Sequence, residues 1–326
     1  MKGKDKMSHN IEKLSNGSYS IAYVGETPWH SLGKEVLPDL TPAQMLKAAN
    51  LDWTVEKVPA FYTYNGKKIM TGQQALVRSS DGKLLSNVSD DWEPNQNADA
   101  FAFFDEFVME GGMEMHTAGS LNDGRIVWAL AKVKESFTVF GKDKIESFLL
   151  FSNPHQYGKS IDIRFTPIRV VCNNTLTLSL HGKADMMVRL NHRHAFDADD
   201  VKATLGIAST KLGTYKEMAQ FLGSKKYTDK TLVEYLSQVF PTNSAKKKEE
   251  NVLSRPAQIA HDIVDTSPGH EFAPGTWWNV FNACTFSIDH LLGHSDNNRL
   301  YSAWYGNGRK KKLAALEHAV EYAKAS

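Results

Sequence analysis

Between Arg125 and Phe165 the chain carries four short apolar, β-branched runs, and no other stretch constrains the fold so tightly. Arg125–Val133, Phe137–Phe140, Ile145–Phe151 and Ser160–Phe165 are bounded by Lys, Glu, Gly, Asn or Pro, the pattern of strands joined by tight turns. Strands this close in sequence pair as antiparallel neighbours, because a parallel pair needs a crossover of a dozen or more residues. In the last run Ile161, Ile163 and Phe165 share one face, and Asp162 and Arg164 the other. Upstream, Asn65-Gly66 lies between Phe61–Tyr64 and Ile69–Met70 and has the chemistry of a type I′ hairpin turn; Asp81-Gly82 offers a second.

Thr166-Pro167 follows the meander, and Ile168, Val171, Cys172, Thr175, Leu176, Ser179 and Leu180 then recur at helical spacing up to Gly182. This predicts a long amphipathic helix packed on the sheet. Thr41-Pro42 opens a short helix, and Asn97 is placed to cap another that carries Phe101, Phe104, Phe107 and Val108. Helical patterns return over 197–223 and 228–241, then around Ile259, Trp277 and Leu316. The expected fold class is α+β: an antiparallel β-meander packed by a long amphipathic helix, with a helical C-terminal part. The expected boundaries are a flexible N-terminal extension over 1–22, a mixed core over 23–240, a Lys/Glu-rich linker over 241–251 and a helical region over 252–326.

Bulk properties narrow the partners. Lys plus Arg number 38 against 37 Asp plus Glu, a net charge of +1, so any grip on a polyanion must come from local clustering. No apolar run approaches the roughly 20 residues of a membrane helix, and no apolar segment follows the basic start at Met1–Lys6. Cys172 and Cys284 sit far apart among apolar neighbours and read as buried thiols in a reducing compartment. The expectation is a cytoplasmic protein with no membrane partner.

Signatures of chemistry are sparse. His192 and His194 alternate, and His290 and His294 stand one helical turn apart, but neither pair has a third ligand at a recognisable spacing. No metal and no cofactor is expected. There is no G-x-S-x-G elbow and no glycine-rich phosphate loop, so no catalytic residue is assigned; an uncatalogued enzyme would place His30 or His155 in a cleft. The basic residues of the meander are more telling. Arg125, Lys132, Lys159, Arg164 and Arg169 are candidates for a phosphate-binding track, with Asn173 and Asn174 as hydrogen-bonding residues beside it. Glu135, Asp143, Glu146 and Asp162 interleave with them, which also fits an ordinary solvated face. A second basic run, Arg309–Lys312, reads as a solvated helix start, and Trp277-Trp278 as core or subunit interface.

Four strings together resemble the phage/plasmid-like protein family, a domain of unknown function: ETPWHSLG at 26–33, TAGSLNDGRIVWALAKV at 117–133, FTPIRVVCNNTLTLSL at 165–180 and SAWYGNGRKKKLAALEHA at 302–319. The resemblance implies a mobile-element gene in a bacterial host and carries no catalytic residues with it. A meander followed by a packed helix is also similar to the core of single-strand-annealing recombinases, an analogy of fold alone. The leading expectation is a homo-oligomeric protein that binds single-stranded DNA, or anneals strands, without sequence preference. The rival is a protein-binding module, such as a host-defence antagonist, whose Trp-rich C-terminal helices meet a host protein.

Overall fold

Turn and cap chemistry decides where the elements begin. The computed structural model of the chain describes residues 11–25, 32–169, 174–175, 187–190, 192, 213, 215–242, 252–293 and 299–326. Strands β1 (Ile21–Val24) and β2 (Lys34–Val36) run parallel. Helix α1 (Pro42–Ala48) starts on a full capping box, with Thr41 and Gln44 each bonding the other's backbone N–H. Strands β3 (Val55–Tyr64) and β4 (Lys67–Arg78) form the predicted hairpin. Its turn residues Asn65 and Gly66 have φ of 48° and 73°, the left-handed pair that such a turn demands. Strand β5 (Leu84–Val88) adds to β4 beyond Asp81-Gly82, closing a three-stranded sheet.

The larger sheet is antiparallel apart from the β1–β2 pair. Its strands β6 (Met113–Leu121), β7 (Ile126–Val139), β8 (Asp143–Pro154) and β9 (Ile161–Arg169) lie side by side, with β1 and β2 beyond β6. The first two expected strands are one, because Lys134-Glu135-Ser136 contains no Gly, Pro or Asn to break the ladder. Strand β6 has a sequence poor in β-formers. Its Gly119 stands opposite Ile21, where an added Cβ would lie 2.9 Å from the Ser20 carbonyl.

The helix expected over 168–180 is corrected. Ile168 and Arg169 end β9, and Asn174-Thr175 form β10, paired antiparallel with them. A stretch this dense in Ile, Val and Thr satisfies a period of two as well as 3.6, and β-branched side chains favour the extended form. β11 (Met187–Leu190) pairs with Ile161–Arg164, so Pro167, with no N–H to give, stands between the two pairings on β9. The other positions of that predicted helix, Cys172 among them, lie outside the described residues, as does 243–251 of the predicted linker.

The chain divides into two compact units. The first takes 1–134, 148–165 and 187–205. Its core holds Ile21, Met45, Leu51, Phe101, Phe104, Leu149 and Ile163. Ile11, Glu12 and Ile21, within the stretch expected to be a flexible extension, are buried there, and Glu12 N–H donates to the Ser120 carbonyl at 3.1 Å. Helices α2 (Asn97–Ala102) and α3 (Asp105–Met109) lie in the same unit.

The second unit takes 135–147, 166–186 and 206–326. It contains helical residues 215–224, then α4 (Asp229–Val239), α5 (Arg255–Asp262), α6 (Trp277–Phe286), α7 (Arg299–Tyr305) and α8 (Asn307–Ala325). Thr228 and Ser254 cap α4 and α5, and Pro256 occupies the first turn of α5, where its missing N–H costs nothing. Trp277 and Trp278 are fully buried, and the indole of Trp278 donates to Asp143 Oδ2 at 3.0 Å. Tyr235 donates to the Ala315 carbonyl at 2.9 Å. Burial pushes the Cys284 thiol up to about 12, which leaves it protonated and inert. Among the described residues no helix is long and apolar enough to cross a membrane.

Candidate nucleic-acid interface

Among the described residues no third strand pairs with the distal half of the β3–β4 hairpin, since β5 pairs with β4 only at Gln74–Val77. Register places Phe61, Thr63, Lys68 and Met70 on one face of this ribbon, and Tyr62, Tyr64, Lys67 and Ile69 on the other. Phe61, Tyr62 and Tyr64 are 50%, 52% and 64% exposed, and Met70 is also exposed. Lys68 Nζ lies 3.5 Å from the Phe61 ring centre, a cation–π contact that holds charge beside a ring. No acidic residue occurs between Lys57 and Arg78. Each face thus offers aromatic surface next to a lysine. Exposed apolar surface of this kind makes the ribbon a candidate interaction surface.

The ribbon is rooted in a buried ion network. Arg78, the last residue of β4, donates to both carboxylate oxygens of Asp81 at 2.9 and 2.6 Å and, through Nη1, to Glu12. Ser120 donates to the other Glu12 oxygen at 2.9 Å, and the guanidinium lies 5.3 Å from the Trp53 ring centre. The hydrogen bonds from Arg78 hold the Asp81 carboxyl down at about 2. Satisfied on both sides, this pairing fixes the base from which the ribbon projects.

A second set of buried polar groups fixes the loop that follows β8. Asn97, expected as a helix cap, is instead the first helical residue after Gln96. Its amide donates to the Leu51 and Trp53 carbonyls at 3.0 and 3.3 Å, while Oδ1 accepts from His155 Nε2 at 2.9 Å. Asn153 donates to the Asn95 carbonyl at 2.8 Å. His192 stacks on Trp92 at 4.1 Å and meets the Glu93 carbonyl through Nδ1 at 3.1 Å.

His155 is fully buried, so it sits in a core and not in a cleft. Burial first, then the nearby His192, pushes it down to about 3. The fold therefore holds the neutral ring, while the unfolded chain takes up a proton below about 6.5. The contribution is complete above that pH and is lost as pH falls towards 3. Between pH 6.5 and 5 this amounts to about 2 kcal/mol. Urea unfolding of the first unit at pH 7.5 and 5.0 checks it; equal stability at the two values would exclude a buried neutral His155.

The sequence-assigned site residues scatter over this framework. Arg125 is half-buried; its Nε donates to the Leu85 carbonyl at 2.9 Å, and its own carbonyl accepts from His155 N–H at 2.8 Å. Lys159 is exposed in the loop after His155. Lys132 is half-buried on β7, opposite Glu114. Arg164 is 7% exposed, and its Nη1 lies 3.6 Å from Asp162 Oδ2.

Ile126–Ala131 and Phe148–Pro154 are likewise buried along their whole lengths, so the sheet centre has no solvated face there. Arg169 and Asn174 are cross-strand partners; their side chains, with Asn173, His30, His194 and His294, lie outside what the structure describes. Arg125 and Lys159 are therefore brought to one corner, and Lys132 and Arg164 are not. Phe61, Tyr62, Tyr64, Lys67 and Lys68 carry no role in the sequence reading, which places Tyr157 only in a turn beside the basic meander. The signal for the first five was an aromatic cluster followed by Lys-Lys, with no acidic residue nearby.

Elsewhere the sequence candidates turn inward. Trp277, Trp278 and Trp304 are buried and give a protein partner no face. Lys312 is fully buried against Asp289, with Nζ 2.9 Å from Oδ1, which corrects its reading as a solvated residue. Among the described residues no three His, Cys, Asp or Glu side chains form a group able to hold a metal ion.

No curated protein and no solved structure matches the chain. A family model described as a domain of unknown function, DUF932, matches residues 84–304. That span starts at β5 and takes in the Arg125–Lys159 corner, while the aromatic ribbon precedes it. Since the match covers well over half of the 326 residues, the chain belongs to the DUF932 family.

Proposed function

We propose that this chain is a single-stranded nucleic-acid-binding protein that holds a strand by sequence-independent contacts, an accessory to strand annealing in a mobile genetic element of a bacterial host. The observation that carries the reading is the ribbon, with three exposed rings and two lysines on a rooted hairpin. Bases stack on Phe61, Tyr62 and Tyr64, and Lys67 and Lys68 neutralise the adjoining phosphates. Stacking requires unpaired bases, so a duplex gains only the electrostatic part. The surface differs from the meander face first considered, whose centre is buried. Association of several copies along one strand belongs to the proposal, because a site of this size gains affinity when neighbours engage the same ligand. The mobile-element setting rests on the resemblance of the four quoted strings.

Fluorescence anisotropy of nuclease-treated protein with labelled oligonucleotides across a salt series tests the reading. Single strands are expected to bind more tightly than duplex, with a log–log salt slope of roughly −1.4 for two neutralised phosphates. Stacking leaves residual single-strand affinity at high salt. Equal affinity for both forms, or no binding at low salt, would refute it.

A further inference from the structure

A second exposed ring stands at the base of the same three-stranded sheet. Tyr157 is 66% exposed, yet its backbone is held: its N–H donates to Ser86 Oγ on β5 at 3.2 Å, two residues after the fully buried His155. A fixed backbone carrying an exposed ring loses little freedom when a ligand stacks on it. Arg125 is bonded to the β5 carbonyl of Leu85, one residue before Ser86, and Lys159 follows Tyr157 by two positions. One aromatic ring and two cations therefore gather beside β5. Three nearby carboxylates have partners: Asp90 accepts from Gln74, Glu93 pairs with Lys57, and Asp123 lies 3.5 Å from Lys83.

Resting on the reading of the ribbon as a single-strand site, we propose that Tyr157, Arg125 and Lys159 form a second stacking station of that site. The ligand is then an extended single strand that runs from the ribbon tip to the β5 edge. Ser86 pairs with Leu76, nine positions along β4 from Lys67. At about 3.3 Å per residue the two stations are at most about 30 Å apart, less where the hairpin register shifts between Pro59 and Phe61. A strand keeping the 3.4 Å spacing of stacked DNA covers this with about nine nucleotides, and a drawn-out strand with fewer. Duplex fails at both stations, because its bases are already stacked on one another.

The test is a length series of oligothymidylates, about four to about sixteen nucleotides, titrated against the full chain by anisotropy. Wild type is expected to gain affinity up to about nine nucleotides and then level off. Tyr157→Ala is expected to level off at a shorter length and to bind the longer oligomers roughly 5- to 150-fold more weakly, whereas Tyr157→Phe keeps the wild-type curve. A Tyr157→Ala curve identical to wild type, with ribbon variants still impaired, overturns the second station and leaves the ribbon reading intact. Absence of single-strand binding by wild type overturns both.

Discussion

Lys312→Met is expected to destabilise the second unit by about 3–5 kcal/mol. Lys312 is fully buried on α8, and its Nζ lies 2.9 and 3.2 Å from the two carboxylate oxygens of buried Asp289 in the π-turn Ser287–Leu291 that continues α6. Removing the ammonium takes from the buried carboxylate one close counter-charge, and the desolvation that this charge offsets, more than the lost attraction, supplies the cost. The double variant Lys312→Met, Asp289→Leu is expected to recover most of the loss, because an apolar pair of similar volume tolerates burial. Chemical unfolding followed by tryptophan fluorescence reads the loss, since Trp277 and Trp278 lie in the core of this unit, beside the signal of Trp53, Trp92 and Trp128 in the first. A solvated lysine at a helix start would change stability by no more than about 0.5 kcal/mol, so a loss that small would contradict the buried pair.

Truncating the ribbon rings should have the largest effect on binding. Tyr64→Ala alone is expected to weaken single-strand affinity by about 1–3 kcal/mol, and loss of all three rings, Phe61, Tyr62 and Tyr64, to remove measurable binding. The exposed rings support no core, so the triple variant should unfold at the same denaturant concentration as wild type. Lys67→Gln with Lys68→Gln is expected to act differently, reducing the salt slope while leaving the stacking contribution in place. Wild-type affinity in the triple variant would remove the ribbon from the site.

Much of the architecture is legible in local chemistry. Asn65-Gly66 marks the hairpin, Thr41-Pro42 and Thr228 mark helix starts, and the alternation of Ile161, Ile163 and Phe165 marks the buried face of β9. What is not legible lies where two rules coincide. Ile168–Leu180 satisfies both helix and strand periods, and only pairing with a neighbouring strand decides between them. Arg164 faces away from those apolar residues as alternation requires, but the second face of the sheet is also covered, which depends on tertiary structure alone.

Lys312 was detectable in principle. It shares a helical face with Ala315, Leu316, Ala319 and Ala323, all buried, whereas Lys310 and Lys311 point elsewhere. The ribbon rings were hidden by a prior that usually holds, namely that aromatic residues belong to a core. Phe61, Tyr62 and Tyr64 fall on opposite faces of a two-stranded ribbon, so no single core can bury them together.

The most direct test of the central claim is photocrosslinking of the full chain to a halogenated single-stranded oligonucleotide, with the crosslinked residues mapped by mass spectrometry. The ribbon reading predicts adducts concentrated on Phe61, Tyr62 and Tyr64, suppressed by unlabelled single strand and not by duplex. Adducts confined to other surfaces, with these three residues unmodified while the oligonucleotide is bound, would contradict it.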